Sequence, residues 1–364
     1  MAFKIAVIGA GVNGLASALC LSHQFPDCEI TVIASEFYPE KKNLCSAHGF
    51  GVVINRETGV LDSPNVTKHV LATMKFCASL HPTEAEYAGI RPSDAVVLFN
   101  QKKDFIDSMI SVGDREKLGF RNATRKEIEM FNHMNDGGAK LVLFENFEEA
   151  PLTIFTCPAY IIDTSKYLPW LKNKLLQKCK RNGDKMVTFF TKEVTSFVEL
   201  SPTFDLVVNC SGCGAKTLAS DPMVIPIRGQ YIKAHVPSVD KVYVAASTVI
   251  CPVSNHVCIG ATHQLGRFET HVIPEDTEKF LYKFKTLLPS FGKPEVILSD
   301  VGIRPGRVGG ARLEVEVVKV KESSGNLPVV HNYGHGYRGI GQHWGCALDV
   351  AQIAVQVLGQ GSKL

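Results

Sequence analysis

The sequence predicts an α/β fold: a discontinuous Rossmann-like dinucleotide-binding domain plus a second, β-rich domain of mixed and antiparallel sheet. Three observations predict it. The apolar run Ile5–Ile8 leads into Gly9, Gly11 and Gly14 at the G-x-G-x-x-G spacing, then into a helix-compatible stretch. A second β-rich run, Glu29–Ile33, follows about 20 residues on, as a βαβ unit requires. Strand-to-glycine turns recur far downstream, at Phe204–Gly214 and Val329–Gly341, while residues 223–265 between them read as an antiparallel meander. Segments 1–60, 151–222 and 290–364 are therefore assigned to the dinucleotide domain, and 61–150 with 223–289 to the second domain.

Each glycine of the first turn has its own reason. Gly9 allows the tight strand-to-helix turn, Gly11 admits a pyrophosphate to the backbone, and Gly14 lets the helix pack on the strand. The N–H groups of Ala10, Val12 and Asn13 complete the phosphate cradle, helped by the helix dipole. Ser35 and Glu36 end the second strand, where an acidic side chain would hold the ribose hydroxyls. The loop that follows carries Cys45, Ser46, His48, Gly49 and Gly51, and its small residues let N–H groups approach a phosphate or a ring edge.

Helical spacing of Val66, Val70, Leu71, Met74 and Leu80 predicts a helix over 62–82, closed by Pro82. Ala95–Phe99 reads as a strand and Lys126–Met134 as a short helix. A further helix begins at Thr164 or Ser165 as cap, with Pro169 in its first turn. Met186–Phe190 is a strand, with Val194 just beyond it, and Val207–Val208 is a core strand ending at Ser211 and Gly212. Glu275–Leu288 is a helix stopped by Pro289, and the terminal helix covers Ala347–Leu358.

The 364 residues are 45% hydrophobic and 21% charged, ordinary for a globular enzyme. A net charge of +3 gives no strong pull toward nucleic acid. Eleven cysteines without paired spacing read as reduced and mostly buried, in an intracellular compartment. No apolar stretch reaches membrane-helix length, no signal peptide is seen, and no metal-ligand spacing occurs. The terminal Ser362-Lys363-Leu364 matches the peroxisomal address, so an import receptor and the peroxisomal matrix are expected.

Taken in order, Gly9–Gly14, Tyr167–Leu171, Val207–Gly214, Pro226–Gln230, Gly302–Arg307 with Arg312–Glu314, and Val329–Gly336 with His343–Ala347 resemble the D-amino-acid oxidase family of flavoproteins. Asn209–Gly214, Leu327–His331 and Pro226–Arg228 look more like its D-aspartate oxidase branch. The resemblance implies FAD rather than NAD. It also implies oxidation of a D-amino acid, D-aspartate or a related acidic one, to an imino acid. Water then gives the 2-oxo acid and ammonia, and O₂ becomes hydrogen peroxide. An oxidase of neutral or basic D-amino acids, and a flavin-binding protein with little turnover, stay open as alternatives.

Within that resemblance Arg304 matches the carboxylate-binding arginine, since a planar guanidinium pairs with a carboxylate bidentately. Gly334, Gly336, Tyr337, Arg338, Gly339, Ile340 and Gly341 form the loop expected to face the flavin edge. Three pocket positions depart from the family. Val249 stands where a carboxylate-contacting tyrosine is usual, His263 where D-aspartate oxidases have a basic residue, and Tyr337 where a small residue is usual. An acidic substrate needs a second cation, for which Arg228, Arg338, His263 and Arg56 are candidates; Tyr337 is a candidate replacement for the missing phenol. The oligomeric state is left open.

Overall fold

The chain crosses repeatedly between two sheets, and those crossings build the walls of the site. The computed structural model describes residues 2–40, 44–48, 50–54, 65–99, 121–126, 153–245, 248–320 and 326–359. In chain order these contain β1 Lys4–Ile8, α1 Val12–Gln24, β2 Glu29–Ala34, β3 Gly51–Val53, α2 Val66–Ser79, α3 Pro82–Tyr87, β4 Ile90–Phe99, β5 Arg121–Asn122, β6 Thr153–Ile162 and α4 Thr164–Leu176. There follow β7 Val187–Thr191, β8 Leu206–Asn209, α5 Ala215–Leu218, β9 Val224–His235, β10 Val242–Ala245, β11 Thr248–Val253, β12 His256–Gly260 and β13 Gln264–Leu265. The last elements are α6 Pro274–Leu287, β14 Glu295–Arg307, β15 Arg312–Lys319, β16 Asn326–Tyr333 and α7 Gly339–Gly359.

The first sheet has six strands in the order β15-β16-β8-β1-β2-β7. β1 runs parallel to β2 on one side and β8 on the other, so the strand order switches at its carboxyl end. That is where open α/β sheets bind ligands. Ile5, Ala6 and Val7 are wholly buried, as a parallel strand covered on both faces must be. Leu15 and Leu19 of α1, Tyr167 and Leu171 of α4, and Val350 and Ala354 of α7 join one core cluster on this sheet.

The second sheet has ten strands on its main count, with β13-β9-β12-β11-β10-β4-β6-β3 as its path, β14 pairing β9 and β5 pairing β6. The β9–β14 ladder is its longest, running antiparallel from Glu295↔His235 to Arg307↔Val224 with a bulge between Val296 and Leu298. Phe280, Phe284 and Leu287 of α6 pack with Ile232, Ile250 and Ile259 behind it.

Several expectations are corrected. The sequence assigns Gly51–Val53, Thr153–Ile162 and Glu295–Arg307 to the dinucleotide segments, yet β3 and β6 pair with one another and β14 pairs with β9 in the second sheet. Sheet membership is set by long-range pairing, which a linear boundary does not capture. Pro82 does not close the first long helix: α2 stops at Ser79 and Pro82 opens α3 at a position where its missing N–H is harmless. Asp163, not Thr164 or Ser165, caps α4, its Oδ1 accepting from Ser165 N–H at 3.1 Å. Pro169 consequently sits inside α4, beyond the first turn. The helix expected over Lys126–Met134 lies outside the described residues beyond Lys126.

All eleven cysteines are free, with Cys179 exposed, Cys45 and Cys213 half-buried and the others buried.

Candidate active site

The glycine turn after β1 forms as its spacing requires. Gly9 takes φ +99°, a conformation L side chains rarely adopt, and its N–H donates to Ile33 O at 2.8 Å. A Cβ on Gly14 would overlap the Gly9 carbonyl, so helix and turn touch there. α1 begins with Gly11 at its N-cap and no side-chain cap. Ser46 reaches in instead, its Oγ accepting from Val12 N–H at 3.1 Å, which brings the Cys45–Ala47 turn against the helix start.

A cavity of about 620 Å³ opens beside this turn. Its floor includes Val12, Asn13, Cys45 and Ser46, and the loop Gly336–Gly341 forms another wall. That loop is stitched to β14: Gly306 and His335 form a β-bridge, and Asp221 Oδ2 accepts from both Arg307 Nε at 2.7 Å and Tyr333 OH at 2.8 Å. His343 fixes the start of α7, since Nδ1–H donates to Ile340 O at 2.6 Å and Nε2 accepts from Tyr167 OH at 2.7 Å. Burial brings this imidazole down to about 4, so the neutral ring keeps both roles. Gly339, Ile340 and Gly341, the first turn of α7, line the cavity, and the N–H groups of a helix's first turn have no intrahelical partners.

Arg304 projects from β14 into the same cavity. Its cross-strand neighbourhood holds the cross-strand pair Gly229↔Gly302. A Cβ on Gly229 would overlap the Arg304 guanidinium, which lies flat on that glycine. Nη1 donates to Thr262 O at 3.0 Å, and among the described residues no carboxylate pairs with Arg304. Burial lowers its pKa against the opposing pull of Cys45 and Tyr231. A half-buried guanidinium with open donor positions is suited to a planar anion.

The other candidates fall in different places. Arg228 is wholly buried and saturated: Nε donates to Glu269 O, Nη1 to Gln264 Oε1, Nη2 to Gln230 Oε1 and His271 O, with Asp276 at 3.5 Å. It holds the β9–β13 edge to the α6 entry and is unavailable to a substrate, which corrects its candidacy. His263 lines the cavity, edge-on to Tyr337 at 5.3 Å. Burial and the nearby Arg304 lower its pKa, which disfavours the imidazolium form. Tyr337 and Arg338 line the cavity, with the Arg338 guanidinium 5.3 Å from the Tyr337 ring centroid. Arg56 lies outside the described residues.

Ser35 is exposed and Glu36 half-buried beyond β2. Val194 packs against the cluster holding Ile8 and Ile33, near the same strand ends. Ser211 and Gly212 follow β8, Gly212 facing Pro305. Gly51 abuts Ile340, where a Cβ would press on its side chain. Gly334 takes φ +84° against Arg307.

Sequence reading missed Tyr231, Asp300 and Gly229, and did not place His48 in the site. Asp300 accepts from Tyr231 OH at 2.9 Å and pairs with His48 Nδ1 at 3.1 Å. Burial pushes the Asp300 carboxyl up, but the His48 and Tyr231 hydrogen bonds outweigh it and bring the group down to about 2. A glycine inside a strand, as at 229, signals a close approach and was the one available hint.

Residues 4–353 match the FAD dependent oxidoreductase family, DAO. The chain belongs to that family. It is 32% identical to human D-aspartate oxidase, over 96% of this chain and 94% of that protein. It is 28% identical to D-amino acid oxidase of Dugesia ryukyuensis, over 97% and 98% respectively. Glycine oxidase from Geobacillus kaustophilus shares the fold, with a TM-score of 0.72 at 18% identity, over 97% of this chain and 95% of that one. The cofactor of this family member is FAD.

The chain's own atoms fit that cofactor. Asn13 Oδ1, Ser211 Oγ and His335 Nε2 are buried and lack partners among the described residues. All three border the glycine turn or the loop before α7, where a dinucleotide's polar groups would meet them. The residues that would hold it are the Gly9–Gly14 turn and Glu36 at the adenosine end, with Cys45, Ser46 and the Gly336–Gly341 loop nearer the cavity.

Proposed function

We propose that this protein is an FAD-dependent oxidase that deaminates D-amino acids, with D-aspartate and related acidic substrates preferred. The products are a 2-oxo acid, ammonia and hydrogen peroxide, and O₂ is the electron acceptor. The observation that carries the reading is Arg304: a half-buried guanidinium in the cavity, flat on Gly229, with no carboxylate partner among the described residues. Bound FAD supplies the acceptor for hydride from the substrate Cα. Arg304 binds and orients the α-carboxylate, while Phe50, Val52, Ile54, Val244 and Val249 keep the surrounding wall apolar and exclude water. The N–H groups at the start of α7 favour negative charge at the cavity edge.

The acidic preference is supported by the likeness to human D-aspartate oxidase. A second reading, an oxidase of neutral side chains, is favoured by the apolar wall and by the saturation of Arg228 within the protein. Peroxide release from D-Asp, D-Glu, D-Ala and D-Arg separates the two: D-Asp and D-Glu lead in the first, D-Ala in the second. Peroxide formation from none of them, with flavin bound, defeats both. Import by the peroxisomal receptor through Ser362-Lys363-Leu364 is part of the proposal, and a tagged chain lacking that tripeptide should stay in the cytosol.

A further inference from the structure

The paired glycines place a second functional group beside Arg304. Asp300, Gly302 and Arg304 alternate on one face of β14, because side chains two apart share a face. Opposite them on β9 stand Tyr231, Gly229 and Ile227. The Arg304 guanidinium covers Gly229, and a Cβ on Gly302 would lie 2.9 Å from His48 Cβ, so His48 covers the partner glycine. Guanidinium and imidazole therefore lie over the two members of one cross-strand pair, both on the cavity wall.

The chemistry of the ring follows from its partner. Asp300 accepts at Oδ2 from Tyr231 OH and at Oδ1 from Val301 N–H, so the carboxylate is held from two sides. Because the Asp300 carboxylate can only accept, Nδ1 is the donor, and in the neutral form of the ring the lone pair therefore lies on Nε2. Nε2 has no hydrogen-bond partner among the described residues. The ionisable groups tied to this cluster are Asp300 and Arg304 on β14, Tyr231 on β9, Cys45 in the turn that also carries Ser46, and His263 just beyond β12, whose pKa Arg304 lowers.

We infer that His48 is the proton acceptor for the substrate amine, with Asp300 its positioning residue and Arg304 holding the carboxylate attached to the same carbon. This rests on the D-amino-acid oxidase reading. A zwitterionic substrate has no nitrogen lone pair to assist hydride departure. In the step assigned to His48, one N–H bond of the ammonium breaks and one N–H bond forms at Nε2. The substrate becomes an amino-carboxylate anion and the dyad an imidazolium–carboxylate pair. The proton leaves to water after product release. An Asp–His pair is suited to the task, since the anion orients the ring and stabilises the cation that forms.

The test compares wild type, His48→Gln and Asp300→Asn as FAD-loaded proteins, by anaerobic flavin reduction with the best D-substrate across pH. The expected result is a loss of about 100-fold or more in reduction rate per substrate concentration near neutral pH for His48→Gln. That loss should shrink at alkaline pH, where the free amino acid has already shed its proton; a merely structural defect would not recover. Asp300→Asn should show a smaller loss with the same pH recovery. A second readout does not need turnover. Binding of 2-aminoisobutyrate, which has no Cα–H, should protonate His48 in the ¹⁵N spectrum, whereas 2-methylpropanoate should not. Equal losses at neutral and alkaline pH, unchanged reduction, or a defect confined to reoxidation by O₂ would overturn the role of His48. Wild-type flavin that no D-amino acid reduces, together with no 2-aminoisobutyrate binding, would overturn the oxidase reading and this inference with it.

Discussion

Gly229→Ala tests the carboxylate site without touching its charged residue. The new Cβ would fall inside the space now held by Nη1, Cζ and Nη2 of Arg304, closer than real Cβ contacts allow. Gly229 is absent from the positive-φ glycines, so alanine fits the backbone and the clash falls on the flexible end of Arg304. The guanidinium must leave its plane, and the Nη1 bond to Thr262 O, 3.0 Å long, goes with it. Hydrogen bonds to charged groups contribute about 1.5–3 kcal/mol each. A displaced guanidinium that forfeits one of its bonds to the bound carboxylate loses about 10- to 150-fold in affinity for it. The assay is benzoate binding, followed by the perturbed flavin spectrum, beside kcat/KM for the best D-substrate. FAD content and thermal midpoint should stay near wild type, since neither the glycine turn nor the core is altered. Wild-type benzoate affinity in a folded, flavin-loaded Gly229→Ala protein would refute the placement of Arg304 as the carboxylate clamp.

Arg304→Lys should lower kcat/KM by more than about tenfold while FAD stays bound, because a point-charge ammonium cannot reproduce the planar fork; near-normal kinetics would remove Arg304 from the role. Arg228→Met leaves Asp276 buried beside the space of a missing cation and should destabilise the fold by about 3–5 kcal/mol, read by urea unfolding, with the order of substrate preference unchanged. Asp300, brought down to about 2, stabilises the folded state above the ordinary carboxylate range, and that contribution is lost as pH falls through about 2. At neutral pH it amounts to about 2 kcal/mol, so the stability gap between wild type and Asp300→Asn should hold level at mildly acidic pH and close only in strong acid.

What could be read from the sequence follows the range of the interactions. The turn Gly9–Gly14 is a local device: its φ value and its clash with the Gly9 carbonyl involve neighbours a few residues apart. Asp163 was overlooked as the cap of α4 because Thr164 and Ser165 carry equally good capping oxygens, and only the backbone angles choose among them. In the sequence Arg228 reads as a substrate cation because a positive side chain in a strand looks the same whether it is free or saturated. Its partners arrive from residues 264–276, across a turn and a helix start. His48 and Asp300 are 252 residues apart, and no spacing connects them.

By itself the sequence determined the α/β class, the dinucleotide turn and the FAD family, and its family resemblance singled out Arg304 as the candidate carboxylate arginine. The first two rest on local geometry and on a motif whose chemistry is carried by neighbouring residues, whereas FAD and Arg304 rest on the family resemblance of segments spread along the chain. Only the tertiary structure decided that β14 belongs to the second sheet, and hence which glycine faces which. That pairing sets Gly229 against Gly302 and leaves two open places on one face. Arg304 fills the first, and His48, carried in from the Cys45–Ala47 turn, fills the second. The physical reason is that a β-ladder's register is fixed by long-range hydrogen bonding, and side-chain neighbours across it cannot be ordered by position along the chain.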